Sequence, residues 1–363
     1  MEVQIGVTLL NRGTSGSYLN ELGLIFHRRV VRFFTQIEQA IADLNDSDAA
    51  YGVPAIARRL TRSQIRSLLV LIETSSLADA AKTLVLSQAS LQRALHDLER
   101  NLGTQLCCRA ASGIVVTPMG ADFGRKVKLA TQEIECGLRE IDVALGHSST
   151  KIVIGAMPGG GSLLLASVLD QFVDTYQGAC VRIANGNASE LLASLLCGNV
   201  DIVIGLIPET LNEELSAQPL ASTPYEIVAR RGHHLLRQGT VTLDDLAAHD
   251  WIVGTPCSSR RALFDQLFAD VEGPRAPIAT CSMAIIRHLL AVNNRLTLMT
   301  SYERTSEGGT LASVPFPLPG PVPALGMITR RTWLPTSLHD SFAALLRRRM
   351  AGAHVPHLLD RAG

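Results

Sequence analysis

The chain has 363 residues, 47% of them hydrophobic, with 33 basic and 33 acidic side chains, enough for two or three domains with buried cores. No apolar run approaches the eighteen or so residues a bilayer span needs, and no basic residue precedes Arg12, which argues against a membrane segment or signal peptide and predicts a cytoplasmic protein. Seven cysteines, an odd number without CxxC or Cys/His ligand spacing, predict free thiols, no metal site and no cofactor, with Cys257 the one thiol in a polar loop. The charge is uneven: from Arg58 to Lys128 there are eleven Lys and Arg against five acids, the kind of excess that phosphate contact requires.

Sliding the chain against itself by 97 positions aligns eleven identical residues between 6 and 38, among them Gly6, Leu9, Arg12, Ser15, Gly16, Gly23, Phe26 and Val30. In both copies a Ser-Gly turn between short extended segments predicts a β-hairpin wing, and a long helix follows. In the second copy Thr117-Pro118 supplies an N-cap and a first-turn proline, and Phe123, Val127, Ala130, Ile134, Leu138, Ile141 and Leu145 recur at near-heptad spacing over a linker helix at 118–148. Phe26, Val30, Phe33, Ile37, Ile41 and Leu44 hold the same register in the first copy. Residues 1–48 thus read as a partial repeat, a wing and a pairing helix without a reader. Two readings stay open, a remnant that packs on the second unit or an added dimerisation helix, and under either one the segment is removable. Asn45 to Pro54, small and polar, reads as a linker.

Residues 58–117 carry two short helical patterns joined by a tight turn, then a wing. In the second helix Leu91, Ala94, Leu95, Leu98 and Leu102 stack as one buried stripe. The opposite side falls to Ala89, Arg93, His96 and Arg100, with Gln92 on the flank. Gln and Arg can read adenine and guanine edges through paired hydrogen bonds, and a small Ala lets the backbone approach the bases. Arg93 suits a phosphate or a base equally, and Arg109 beside the wing turn suits a phosphate.

Leu60-Thr61, Gln64, Arg66, Ser76-Leu77, Ala80-Ala81, Leu84, Ser87-Gln88, Arg93-Ala94, Leu98-Glu99, Leu102-Gly103, Leu106, Arg109, Thr117 and Gly120 together resemble the LysR-type transcriptional regulators. The endings RLTLMTSYE and GMITRRTWLPTSLHDSFAALLR are similar to the branch that includes regulators of sugar-binding-protein and aromatic-acid catabolism genes. The resemblance implies an α/β protein: an N-terminal winged helix-turn-helix, a long linker helix, and a two-lobed effector domain like the periplasmic binding proteins. It places Ser87, Gln88, Ala89, Gln92 and Arg93 at the DNA-contacting start of the recognition helix. It implies double-stranded DNA and a small-molecule effector as partners, assembly as a homodimer or homotetramer, and RNA polymerase as a candidate further partner. Leu91 and Gln92 stand where family members often carry Val and Ser, so Gln92 can alter the base that is read.

From Lys151 the pattern changes to short apolar strands, KIVIGAM, VRIAN, DIVIGL, YEIVAR, WIVG, LTLM and LGMITR, alternating with helices at 162–175, 189–197, 259–269 and 283–293. Such alternation predicts α/β units over 151–350, and the resemblance implies two lobes, 151–223 with 325–350 and 224–324, with a ligand between them. Gly160, Gly161 and Ser162 open one helix after a bare glycine turn, Ser189 opens the next, and Thr255, Ser258 and Ser259 crowd the start of a third. Amides and hydroxyls at helix starts suit an anionic metabolite, although each can equally cap its own helix. Ligand closure of the lobes would change subunit angles and the spacing of DNA half-sites.

No G-x-S-x-G, H-E-x-x-H, Rossmann fingerprint or P-loop stands in its required context, so an enzyme is not expected. The adjacent His233-His234 pair is a weak metal motif. The alternative function is a cytoplasmic solute-binding module of the same lobed fold without a transcriptional role.

Overall fold

The computed structural model describes residues 2–14, 16–44, 52–110, 113–146 and 150–352, in two compact units divided at Thr150 and Lys151. No helix among the described residues is long and apolar enough to cross a membrane.

The first unit opens with a turn of helix, Glu2–Ile5 (α1), a hairpin of Leu10–Gly13 (β1) and Gly16–Leu19 (β2), and a long helix, Glu21–Ala42 (α2). Val53–Arg59 (α3), Arg62–Thr74 (α4), Leu77–Leu84 (α5) and Gln88–Leu102 (α6) follow. A second hairpin, Cys107–Ala110 (β3) with Gly113–Val116 (β4), leads to a second long helix, Pro118–Ala144 (α7). Local chemistry sets these boundaries. Thr61 and Gln64 form a reciprocal capping box on α4, Ser76 and Ser87 cap α5 and α6, and Gly103 ends α6 in the left-handed conformation. Thr117 caps α7 with Pro118 in its first turn. Leu91, Leu95, Leu98 and Leu102 of α6 are buried with Leu68, Leu71, Ala80 and Phe123 in one core. The expected linker to Pro54 differs at its end: Val53 and Pro54 lie in α3, whose Val53 and Ala57 join that core beside Ile37, Ala40 and Ile41 of α2. The turn Ala111-Ser112, Ser15 and residues 45–51 lie outside the described residues.

The two copies of the repeat adopt the same structure. Asn20 and Thr117 cap α2 and α7 by accepting from Gly23 and Gly120 amides, at 2.8 and 3.0 Å. The helix starts lie so close to the preceding strand that a Cβ on Gly23 or Gly120 would sit 2.1 or 2.2 Å from the carbonyl oxygen of Leu9 or Leu106. Only glycine fits there. The similarity begins earlier than the aligned identities: Glu2 accepts from the Leu9 and Leu10 amides as Glu99 does from those of Leu106 and Cys107.

In the second unit Thr150–Ala156 (β5), Gly160–Thr175 (α8), Ala179–Asn185 (β6), Ala188–Leu196 (α9), Ile202–Leu206 (β7) and Leu215–Ser222 (β8) lead into Tyr225–Arg230 (β9) and Leu243–Ala247 (α10). Trp251–Val253 (β10), Ser259–Leu267 (α11), Ile278–Ala279 (β11), Met283–Val292 (α12), Leu296–Thr300 (β12) and Ser301–Thr305 (α13) come next. Leu311–Ser313 (β13), Ala324–Arg330 (β14) and Ser337–Gly352 (α14) complete it. Two five-stranded sheets result, ordered β6-β5-β7-β14-β8 and β11-β10-β12-β9-β13. The chain leaves the first sheet after β8 and returns to it with β14, which runs antiparallel to both β7 and β8. Each sheet has its own core, one around Phe172, Phe342 and Ile154 and the other around Trp251, Phe264 and Leu298. A mixed α/β architecture, a winged helix-turn-helix followed by a two-lobed domain, is therefore the fold.

Candidate nucleic-acid interface and effector site

The leucine stripe of α6 turns the other side of that helix outward. Ser87, Gln88, Ala89, Gln92, Arg93 and His96 are all exposed. Gln88, which its angle on the helix sets nearer the buried stripe, also points out. Ser87 is the N-cap, its hydroxyl accepting from the Ser90 amide at 3.1 Å, so its first task is to start the helix. Arg109 is exposed on β3, paired in register with Ile114. A shallow groove between α6 and this wing is lined by Ala89, Gln92, Arg93, His96, Gln105 and Arg109, among others. The wing thus brings Arg109 to the same groove as the helix residues.

Neighbouring charges show what sets these apart. Arg100 is tied to Asp97, Arg125 to Asp122 at 2.8 Å and Lys128 to Glu73 at 3.4 Å. Among the described residues Gln92, Arg93 and Arg109 have no side-chain hydrogen bond or ion pair. An unpaired guanidinium on an exposed face can donate to a phosphate or a base edge without first breaking an internal bond. Val85, between α5 and α6, is left-handed at φ 56° and 89% exposed, a strained apolar residue at the tip of the turn.

In the second unit Gly160 and Gly161 are buried where β5 runs into α8, and a Cβ on Gly161 would lie 2.3 Å from the Ile204 carbonyl oxygen. Gly159, left-handed at φ 80°, meets the lobe of the second sheet: a Cβ there would lie 1.9 Å from Glu303 Oε1. Glu303 accepts from Arg260 at 2.8 Å in a pair of buried side chains. Its other oxygen accepts from the Thr300 amide at 2.7 Å. Arg260 Nη1 is buried with no hydrogen-bond partner. This arginine, one residue past Ser258-Ser259 in the chain, is the functional candidate that the sequence reading missed. Its only signal was an arginine following the cap of a helix, a position usually solvated.

The expected hydroxyls do not all meet. Ser259 shares a hydrogen bond with Tyr225 at 2.8 Å, Thr255 contacts Cys281 Sγ at 3.3 Å, and Ser258 caps α11 while donating to the Thr255 carbonyl. Ser162 donates back to the Met157 carbonyl at 3.2 Å. The start of α9 corrects an expectation: Asn187, in a capping box with Glu190, opens that helix, and Ser189 merely donates to Asn187 at 2.6 Å. No hydrogen bond among the described residues ties Ser189 to Gly160, Thr255 or Arg260.

The histidine pair is a trio. His234, His249 and His233 place ring nitrogens within 4.8 Å of one another, with His234 and His249 Nε2 3.1 Å apart. Both nitrogens of His233 are committed, Nδ1 accepting from the Leu235 amide and Nε2 facing the Asn294 carbonyl, each at 3.3 Å. Burial, and then the proximity of His234, His249 and Arg230, pushes His233 down to about 4 against the one opposing contact with Asn294. Between pH 6.5 and 4 the unfolded chain binds a proton at His233 that the folded chain does not. Stability therefore falls as the pH drops through that window, by up to about 1.4 kcal/mol per pH unit. Urea unfolding at several pH values should show a shallower slope for His233→Gln than for the wild type; equal slopes would show that His233 titrates normally.

An exposed helix face beside a basic wing, followed by a two-lobed α/β domain, defines a DNA-binding regulator with a ligand-sensing domain. Residues 63–121 match the bacterial regulatory helix-turn-helix protein family of lysR type, and residues 145–351 match the LysR substrate binding domain. The chain belongs to the LysR family of transcriptional regulators, which are not enzymes. It is similar to the HTH-type transcriptional regulator GalR of Pseudomonas putida, 27% identical over 355 residues that cover 96% of this chain and 87% of that protein. It is also similar to GbpR of Rhizobium radiobacter, 27% identical over 239 residues, 64% of this chain and 79% of that one. A full-length OxyR variant from Pseudomonas aeruginosa shares the fold, with a TM-score of 0.56 and 17% identity over 80% of this chain and 95% of its own. Nothing in these likenesses supports a solute-binding module without a transcriptional role.

Proposed function

We propose that this regulator reads duplex DNA with Gln88, Ala89, Gln92, Arg93 and His96 of α6 while Arg109 clamps a phosphate, and that a small anionic metabolite binds near Arg260. The observation that carries the DNA half is the row of exposed, uncommitted side chains on α6 facing the same groove as Arg109. The observation that supports the effector half is the buried, unpartnered Nη1 of Arg260, on a guanidinium whose Nη2 lies near Gly159, because a buried donor without a partner gains most from an incoming carboxylate. Gly160, Gly161, Ser162, Thr255, Ser258 and Ser259 would surround the ligand, and Ser189 would stand apart from it. The protein acts in the cytoplasm as a homodimer or homotetramer, and ligand binding shifts its population of DNA-binding arrangements, with RNA polymerase as the machinery it addresses.

The test is a melting-temperature screen with aliphatic and aromatic carboxylates and their neutral amides. A carboxylate at a hundred times its Kd should stabilise the second unit by about 2.7 kcal/mol. That gain should disappear in Arg260→Gln combined with Glu303→Gln, which removes the pair without stranding a buried charge, and persist in Ser189→Ala. Equal stabilisation by the amide, or a full shift in the double variant, would remove Arg260 from the site.

A further inference from the structure

The two copies of the repeat do more than resemble each other: they pair, and they pair symmetrically. Arg29 of α2 binds Glu140 of α7 at 2.7 Å, and adding and subtracting the 97-residue offset turns that contact into Lys126 with Asp43, which is also present at 2.7 Å. Phe26 lies against Gly137, and Phe123, its counterpart, shares a core with Ala40, the counterpart of Gly137. Gln36 donates to Glu133 at 3.3 Å. Since 36 and 133 differ by the offset itself, this contact is its own mate and lies on the approximate two-fold axis. Such reciprocity, residue i on j and j on i, is the signature of an isologous dimer interface.

We infer that residues 2–44 are a built-in partner: they occupy the face of α7 on which a second chain's α7 would pair, so that the winged unit is closed within one chain. The axis contact explains why the chain pairs with itself. In a pairing of α7 with a second α7, position 133 of one chain would meet position 133 of the other and set two carboxylates face to face on the axis. In the intrachain pair, Gln36 meets Glu133 and supplies a donor. Arg29 likewise gives Glu133 and Glu140 a buried forked guanidinium, where a second α7 would offer only the single ammonium of Lys126. Chains that assemble do so through surfaces other than this face of α7. The inference rests on the contacts of the first unit and holds whatever DNA or ligand the protein binds.

A zero-length carbodiimide coupling on the full chain tests it, since it joins an amine to a carboxylate in direct contact. Lys126 and Asp43 should be recovered as a linked peptide from the band of single-chain mass, 39.0 kDa. The within-helix link of Lys126 to Asp122, 2.8 Å apart, shows that the reagent has reached the lysine. Recovery of the Lys126–Asp43 peptide only from a band of twice that mass would mean that the helix is supplied by another chain. Its absence from both bands, with the Asp122 link present, would mean that α2 does not lie on α7. Either result overturns the inference. Gln36→Glu, which gives the intrachain pair the axis of the interchain one, should lower the yield of the linked peptide several-fold; an unchanged yield would show that the axis contact does not select the partner.

Discussion

Replacing Arg29 by alanine is expected to cost the first unit about 3–5 kcal/mol, the range for stranding a buried charge network. The Arg29 side chain is 1% exposed and donates to Glu133 and Glu140, themselves 8% and 15% exposed. Burial works against its charge, and the hydrogen bonds to Glu140 and Glu133 reverse that effect and raise its pKa above the ordinary arginine value. Alanine removes the cation and leaves two carboxylates in a low-dielectric seam, with Arg32 at 3.2 Å from Glu133 as partial compensation. The near-symmetric Lys126, whose side chain is 27% exposed beside an Asp43 that is 36% exposed, should cost no more than about 1 kcal/mol on the same substitution. Both tryptophans, Trp251 and Trp333, lie in the second unit, so the helical circular-dichroism transition that tryptophan fluorescence does not follow reports the first unit. Equal costs at Arg29 and Lys126 would show that the buried network contributes little.

What the sequence disclosed and what it hid follow one division. The recognition helix was legible because its signals are local: a leucine stripe at helical spacing, Ser87 before it and Gly103 after it. The strands around IVIGA, DIVIGL and LTLM were legible because they are buried on both faces and rich in β-branched residues. Strand β8 was not. LSAQPLAS carries Pro219 and little β-branched content, and it is a strand because β14 offers it an edge, where a proline's missing amide is tolerated. Helix α3 starts in the last two residues of the expected linker and was not read, since seven residues are under two turns and carry no readable period. Arg260 and Glu303 are 43 residues apart, and only the folding of the second lobe, which brings the start of α11 to α13, makes them a pair.

The repeat is the instructive case. Its hairpin and helix could be read from the aligned residues, and the near-heptad stripe said that α7 takes a partner helix. A stripe cannot say whose helix that is. The expectation that residues 1–48 form a removable appendage fails on packing: Ile37, Ala40 and Ile41 are at most 1% exposed and share a core with Phe123, Val127 and Ala130. Deleting them would open that core and strand Glu133 and Glu140.

Arg93→Ala is expected to weaken specific DNA binding by about 1–3 kcal/mol, roughly 5- to 150-fold, if the guanidinium makes a paired contact with a base. Gln92→Ala should fall in the same range and relax selectivity at one base pair. Arg100 is the internal control: it lies on the same helix and is already bound to Asp97, so its alanine variant should change affinity far less. Salt separates the two roles open to Arg93. Removing a cation that neutralises one phosphate of duplex DNA flattens the slope of log K against log salt by about 0.9 and weakens all sequences alike, whereas removing a side chain that reads a base leaves the slope and erodes the preference. Arg109→Ala should show the first pattern, because Arg109 sits on the wing strand rather than on the reading helix. The sharpest comparison is therefore Arg93 against Arg109 on one operator at three salt concentrations. If neither substitution changes affinity, or if Arg100→Ala is as damaging as Arg93→Ala, the exposed face of α6 is not the surface that meets DNA.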